Sequence, residues 1–152
     1  MSDFRPLAAL LPRLKELAAQ MKGQDNAATA HPIFVVQQRH RIHGIDPNYS
    51  DLFEWIDVEG RAADAEEHER LEAAFQQDED DDEGERQFWT RAHYVDSWEN
   101  VQPFFSRSGA EGYMARNRHN LTDPRIYVDS AHRNAEWQLV RELLVELAKA
   151  EQ

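Results

Sequence analysis

The chain has 152 residues, a length that suits one domain with one core. Apolar residues make up 41%, with four Trp, four Tyr and seven Phe, which excludes a wholly disordered chain. The formal net charge is −12, and the lack of Cys excludes disulfides, thiolate metal sites and thiol catalysis and fits a cytoplasmic location.

Met1 to Arg5 hold an acid and no apolar stretch, so no signal peptide is expected. No apolar run approaches the length that spans a bilayer. Leu7, Leu10, Leu14, Leu17 and Met21 recur at spacings of three and four, the period of one helical face. Pro12 disfavours a helix interior, so the regular helix is expected to start near Leu11 and to end before Gly23. Residues 24–31 are polar and small and read as a linker. Pro32-Ile33-Phe34-Val35-Val36 opens a strand that continues to Ile42. Gly44-Ile45-Asp46-Pro47-Asn48 is a turn, and Phe53–Val58 is a second strand expected to pair with the first.

Ala62–Gln77 reads as a helix with a thin apolar stripe of Leu71, Ala74 and Phe75. The run Asp78, Glu79, Asp80, Asp81, Asp82, Glu83, Gly84, Glu85 is so dense in like charge that a solvated loop is expected. Gln87–Val95 is a third strand. Asp96 and Glu99 have capping-box spacing before a short turn through Trp98 and Val101 that Pro103 ends. Ser108-Gly109-Ala110-Glu111 is a second capping box, opening a helix to about Arg118. After the turn at Thr122-Asp123-Pro124, Arg125–Asp129 is a strand with Ile126 and Val128 on one face and Tyr127 on the other. Asn134 caps the last helix, whose Trp137, Val140, Leu144 and Leu147 should dock on the sheet.

This order predicts an α+β fold, a largely antiparallel sheet of about four strands with packed helices in a single domain. The expected organisation is an N-terminal helix and linker over 1–30, then an α+β domain over 31–150 with an acidic insertion at 57–85. Phe34, Val36, Trp89, Val128, Trp137 and Leu144 should be largely buried. Charge marks the insertion out. Residues 57–85 hold 14 acids and two bases, whereas the rest of the chain holds 15 of each.

The motifs with chemical content are few. His40 and His43 are three apart, which on a strand puts them on opposite faces, and no H-E-x-x-H occurs, so no metal site is expected. Read as a calcium loop from Glu79, the acidic run has Glu79, Asp81, Glu83 and Gly84 in place, but Thr90 stands where the bidentate Glu is required. No G-x-S-x-G, P-loop or G-x-G-x-x-G is present, and no nucleophile has a partner, so neither an enzyme nor a cofactor is expected. Arg116, Arg118, His119 and Arg125 form a locally basic segment that can contact phosphate or a carboxylate, or simply suit a helix C-terminus.

Phe105, Gly109-Ala110, Tyr113, Asn117, His119-Asn120-Leu121, Pro124-Arg125-Ile126-Tyr127-Val128, Arg133-Asn134 and Trp137 together resemble a group of small accessory proteins of tailed phages and prophages. Pro32-Ile33-Phe34-Val35 and Gly44-Ile45-Asp46 extend the likeness, which covers much of 31–58 and 92–147. The resemblance implies an early or accessory phage product and carries no catalytic residues. The expected function is therefore a non-enzymatic binding protein or inhibitor acting on a host protein. Asp78, Glu79, Asp80, Asp81, Asp82, Glu83 and Glu85 would supply a nucleic-acid-like acidic surface to a basic partner, as in an anti-CRISPR type of counter-defence. That partner would be a host protein, such as a nucleic-acid-binding complex, and not a membrane. The alternative is a nucleic-acid-binding regulatory module using Arg116, Arg118, His119 and Arg125, against which the net charge argues.

Overall fold

Apolar faces decide where each element lies. In this computed structural model residues 6–77 and 88–150 are described. Leu7–Met21 forms α1, Pro32–His43 β1, Phe53–Asp57 β2, Ala65–Gln76 α2 and Trp89–Phe104 β3. Arg107–Asn117 forms α3, followed by a 3-10 turn at Arg118–Asn120, then β4 at Arg125–Ser130 and α4 at Ala135–Lys149. The strands form one antiparallel sheet in the order β2-β3-β1-β4, so the α+β class is the one adopted. The chain divides into two compact units, Met1–Arg39 with Trp98–Gln152, and His40–Ser97.

In the first unit β1 and β4 pair antiparallel, from Pro32 opposite Ser130 to Gln37 opposite Arg125. Side chains alternate along a strand, so Phe34, Val36, Ile126 and Val128 share one face, and α3 closes a core on it with Ala110, Tyr113 and Met114. A second core joins two helices. Ala18 and Met21 of α1 meet Leu144 of α4, with Leu14, Leu17, Val145 and Leu147 around them. The apolar stripe of α4 therefore docks on α1 rather than on the sheet as expected, because Leu14, Leu17, Ala18 and Met21 of α1 offer a matching apolar face. Trp137 stacks on Phe105 with ring centroids 3.9 Å apart. Val140 was expected inside and is exposed, beside Leu139 and Leu143.

Three boundaries in this unit differ from expectation. α1 begins at Leu7 and contains Pro12. So near the N-terminus the proline removes one bond, to the Ala8 carbonyl, which is open to water. The strand β3 runs unbroken to Phe104 where a cap and turn at Asp96–Pro103 were expected. Its polar residues have partners across the ladder instead, Gln37 Nε2 donating to Asn100 at 2.7 Å and Gln38 Nε2 to Glu99 at 3.0 Å. The cap of α3 is Ser106 rather than Ser108, its hydroxyl accepting from Gly109 N–H at 3.0 Å. A Cβ on Gly109 would lie 2.8 Å from that hydroxyl, so only glycine allows the approach. Residues 24–25, expected as linker, hold the start of α3. Gln24 accepts from Arg107 N–H at 3.0 Å, and the Arg107 guanidinium donates to the Asp25 carbonyl.

In the second unit β2 pairs with β3 and not with β1, from Phe53 opposite His93 to Asp57 opposite Trp89. The β1 edge that β2 would need is already occupied. Arg41 grips Asp96 of β3 through two bonds of 2.8 and 3.0 Å, and Gly44 N–H donates to the His93 carbonyl. The register sets Trp55 and Trp89 on one face, where Leu71 of α2 completes the core. Asp64 caps α2 in a capping box with Glu67. Glu72 ties helix to sheet. Its Oε1 accepts from Trp55 Nε1 and from Arg91 Nε, each at 2.8 Å, while the Arg91 guanidinium lies 3.6 Å from the Phe53 ring centre.

Burial raises the Glu72 pKa, but the two donors and the Arg91 charge outweigh it and hold the carboxyl below its ordinary range. A depressed folded-state pKa stabilises the fold above the unfolded value of about 4.3 and ceases to do so as pH falls through the folded value. Glu72→Gln should therefore cost about 1–2 kcal/mol at pH 7. In urea unfolding, the gap between the two proteins should close as pH falls from about 5 toward 3. A gap that is constant with pH would mean that the amide and the carboxylate differ in packing alone.

Candidate functional site

The face of the first unit's sheet opposite α3 carries an unusual set of side chains. Cross-strand register puts Arg125 with Gln37 and Tyr127 with Val35 on that face, away from Ile126 and Val128. Arg125 lies over Trp98, its guanidinium carbon 3.7 Å from the ring centre, and 5.8 Å from that of Tyr127. Its Nε donates to Gln37 Oε1 at 2.9 Å. Gln37 is only 8% exposed, and its amide is oriented by accepting from Arg125 and donating to Asn100. Trp98 and Tyr127 remain 43% and 47% exposed. Arg39 and Asp123 pair at 2.6 Å.

Trp, Tyr and Arg are the side chains that most often anchor binding interfaces, because each offers a large rigid area and a polar tip. The buried Gln37 amide keeps Arg125 in place, so the surface loses little freedom when something binds to it. The arrangement suits recognition. It offers no nucleophile next to a base.

The basic residues expected to act together are separated. Arg116 lies at the exposed end of α3, folded back over Gly112. Arg118 is exposed and lines a cleft of about 610 Å³ with Glu111, Met114, Leu121, Asp123 and Pro124. The His119 ring accepts from Asn120 Nδ2 at 3.0 Å. Arg116 ends α3 and Arg118 and His119 lie in the turn after it, whereas Arg125 projects from the face of β4 opposite α3. Trp98, Gln37 and Asn100 are not legible in the sequence as site residues, because the capping-box spacing of Asp96 and Glu99 predicts a break in β3 at Asp96. Tyr127 was legible, since alternation alone sets it opposite Ile126 and Val128.

The acidic residues expected to bind a partner, Asp78, Glu79, Asp80, Asp81, Asp82, Glu83 and Glu85, lie outside the described residues. The rest of the acidic segment sorts into two groups. Asp57, nearly closed to solvent, accepts from the Glu59 and Arg61 N–H groups and pairs with Arg61. Those backbone bonds, that from Arg61 first, keep its carboxyl below the ordinary range despite burial. Glu67 pairs with the same Arg61 and closes the Asp64 cap, and Glu72 holds Arg91. Glu59, Glu66 and Glu69 are exposed, and among the described residues their side chains make no hydrogen bond.

The Arg125–Trp98 stack should be measurable. In a double-mutant cycle of Trp98→Ala and Arg125→Ala followed by urea unfolding, the coupling should be about 0.5–1 kcal/mol. Additive effects would mean that the stack is not a preformed part of the surface.

No family model matches the sequence, and no curated protein and no solved structure matches the chain.

Proposed function

We propose that the chain is a non-enzymatic binding protein of phage or prophage type, acting on a host protein through the acidic segment 57–85. A counter-defence inhibitor that takes the place of nucleic acid is the specific form. The observation that carries this reading is the division of the segment's acids. Asp57, Asp64, Glu67 and Glu72 serve the fold, which leaves Glu59, Glu66 and Glu69 without a structural duty among the described residues. The whole net charge of the chain falls within this stretch. DNA carries a charge about every 1.7 Å along its axis, and a carboxylate-rich segment can meet the same basic groove. The likeness of 31–58 and 92–147 to phage accessory proteins supports the origin.

A second reading draws support from the Arg125 cluster. Exposed Trp98 and Tyr127 beside a cation are the parts of a base-stacking surface, so the chain could hold single-stranded nucleic acid. Net charge disfavours it, because phosphate attracts only basic faces.

The test uses the chain as bait in a host lysate, with captured protein and nucleic acid both analysed. Neutralising Asp78, Asp80, Asp81, Asp82 and Glu83 to Asn or Gln should slow association with the captured partner more than it speeds dissociation. The effect should fade as salt screens charge over about 8–10 Å. Arg125→Ala should leave that association unchanged. An acid-neutralised protein that binds at an unchanged rate at low salt, alongside an Arg variant that loses all binding, would overturn the proposal in favour of the second reading.

A further inference from the structure

We infer that the outer edge of β4, in the first unit, pairs antiparallel with the same edge of a second copy of this chain, about a twofold axis at Tyr127. The inference does not rest on the acidic segment. β4 ends the sheet and has β1 on one side only. The Ala131 N–H donates to the His31 carbonyl at 2.8 Å, which sets the phase of that ladder. Bonded pairs recur every second residue, so Arg125, Tyr127 and Asp129 turn their backbone N–H and C=O groups toward β1, and Ile126 and Val128 turn theirs outward. Among the described residues nothing pairs with these outward groups. An open row of this kind is a template for another strand. In the second unit the edge of β2 is closed, because Ala63 N–H donates to the Trp55 carbonyl and Asp57 N–H to the Arg61 carbonyl.

The strand's own side chains identify the partner. Arg125, Ile126, Tyr127, Val128 and Asp129 run cation, aliphatic, aromatic, aliphatic, anion. An antiparallel copy centred on Tyr127 sets each Arg125 opposite the other copy's Asp129, Ile126 opposite Val128, and the two Tyr127 side chains together. Unlike charges and apolar pairs placed directly opposite one another stabilise a ladder, and like charges destabilise it. Gln37 holds the Arg125 Nε–H, and the N–H groups at the guanidinium tip have no hydrogen-bond partner among the described residues. One Asp129 oxygen accepts from the Ser130 N–H at 2.8 Å, which leaves the other for a second cation. Tyr127 is 47% exposed and joins a surface that nothing in its own chain covers.

Backbone bonding selects the same register. Centred on Tyr127, the Ile126 N–H and C=O meet the Val128 C=O and N–H of the other copy, and the reverse. Centring on Ile126 instead would set Val128 against Pro124, which has no N–H to donate. Centring on Val128 would set Ile126 against Ser130, whose N–H is already held by Asp129. Either shift leaves an outward carbonyl without a donor and places neither Arg125 nor Asp129 opposite its counter-charge. Two short strands bury less than a standard interface, so the association is weak.

The test is sedimentation equilibrium of the full chain from about 1 μM to about 1 mM, in about 0.15 M salt to screen the net charge. The mass should rise from 17.7 kDa toward twice that value. Arg125→Asp and Asp129→Arg, each shown to be folded by spectral dispersion, should weaken self-association about fivefold or more, and an equimolar mixture of the two should recover it. Register is read by oxidation, since the chain has no Cys of its own. Across the axis the Cα atoms of residue 127 lie about 4.5 Å apart, within disulfide reach, so Tyr127→Cys should form a covalent dimer. Asp129→Cys should not, because four residues of offset separate its Cα atoms by about 14 Å. A mass that stays at 17.7 kDa leaves the edge to an extended segment of another protein and overturns the inference. A mixture no better than its components, or Asp129→Cys cross-linking as fast as Tyr127→Cys, overturns it too. Should Arg125→Asp fail to fold, the mass of the unaltered chain and the two cysteine variants decide the matter.

Discussion

Polar side chains inside long strands are stable here because several are answered across the ladder between β1 and β3. In the first unit Gln37 meets Asn100 and Gln38 meets Glu99, and in the second Arg41 grips Asp96. Residue numbers rise on one strand as they fall on the other, which fixes an antiparallel register. A slip of one residue would reverse every side chain and break each of these pairs. It would also move Phe34 and Val36 off the face that α3 covers. The polar ladder and the apolar core thus specify the same register by independent means, and agreement of that kind is what makes one structure preferred.

The same register determines what is left for function. With the apolar side chains of β1 and β4 turned to α3, the opposite face receives Arg125, Tyr127 and Trp98. Their exposure is a consequence of alternation. Their rigidity is not, because it needs the buried Gln37 amide, which accepts from Arg125 and donates to Asn100. An amide flipped end for end would set two donors and two acceptors against each other, so the network has one orientation.

Much of this was legible in the sequence, and the failures have a common cause. Alternation in 125–129, the cap at Asn134 and the apolar period of α1 all depend on residues near one another, and all appear in the structure. Pairing depends on residues far apart. Phe53–Val58 looked like a partner for β1 because the two are neighbours in sequence, yet the pairing that buries Trp55 and Trp89 with Leu71 requires β3. Asp96 and Glu99 have the spacing of a cap, and only their distant partners Arg41 and Gln38 make them strand residues. The cap at Ser106 is not legible for a local reason, since Gly109 stands where a capping box has Glu and admits the hydroxyl by size alone. The cluster around Arg125 inherited the error in β3, for without a continuous strand Trp98 has no reason to lie beside Arg125.

Carboxylates that hold a fold are recognisable by their partners, as Asp57 is by two backbone N–H groups and Glu72 by Arg91 and Trp55. Glu59, Glu66 and Glu69 have no such partners among the described residues and share the segment with the run from Asp78. Net charge serves solubility wherever it lies, and a dispersed set would give the same benefit with less mutual repulsion. Gathering the surplus into 57–85 while the remainder of the chain stays balanced works against stability unless something offsets it. On the proposed function a basic partner would offset it on binding, and the attraction would act before contact, where closely grouped charges reinforce one another within a screening length of about 8–10 Å. Concentration of charge, more than its amount, is therefore the property on which the proposed recognition depends.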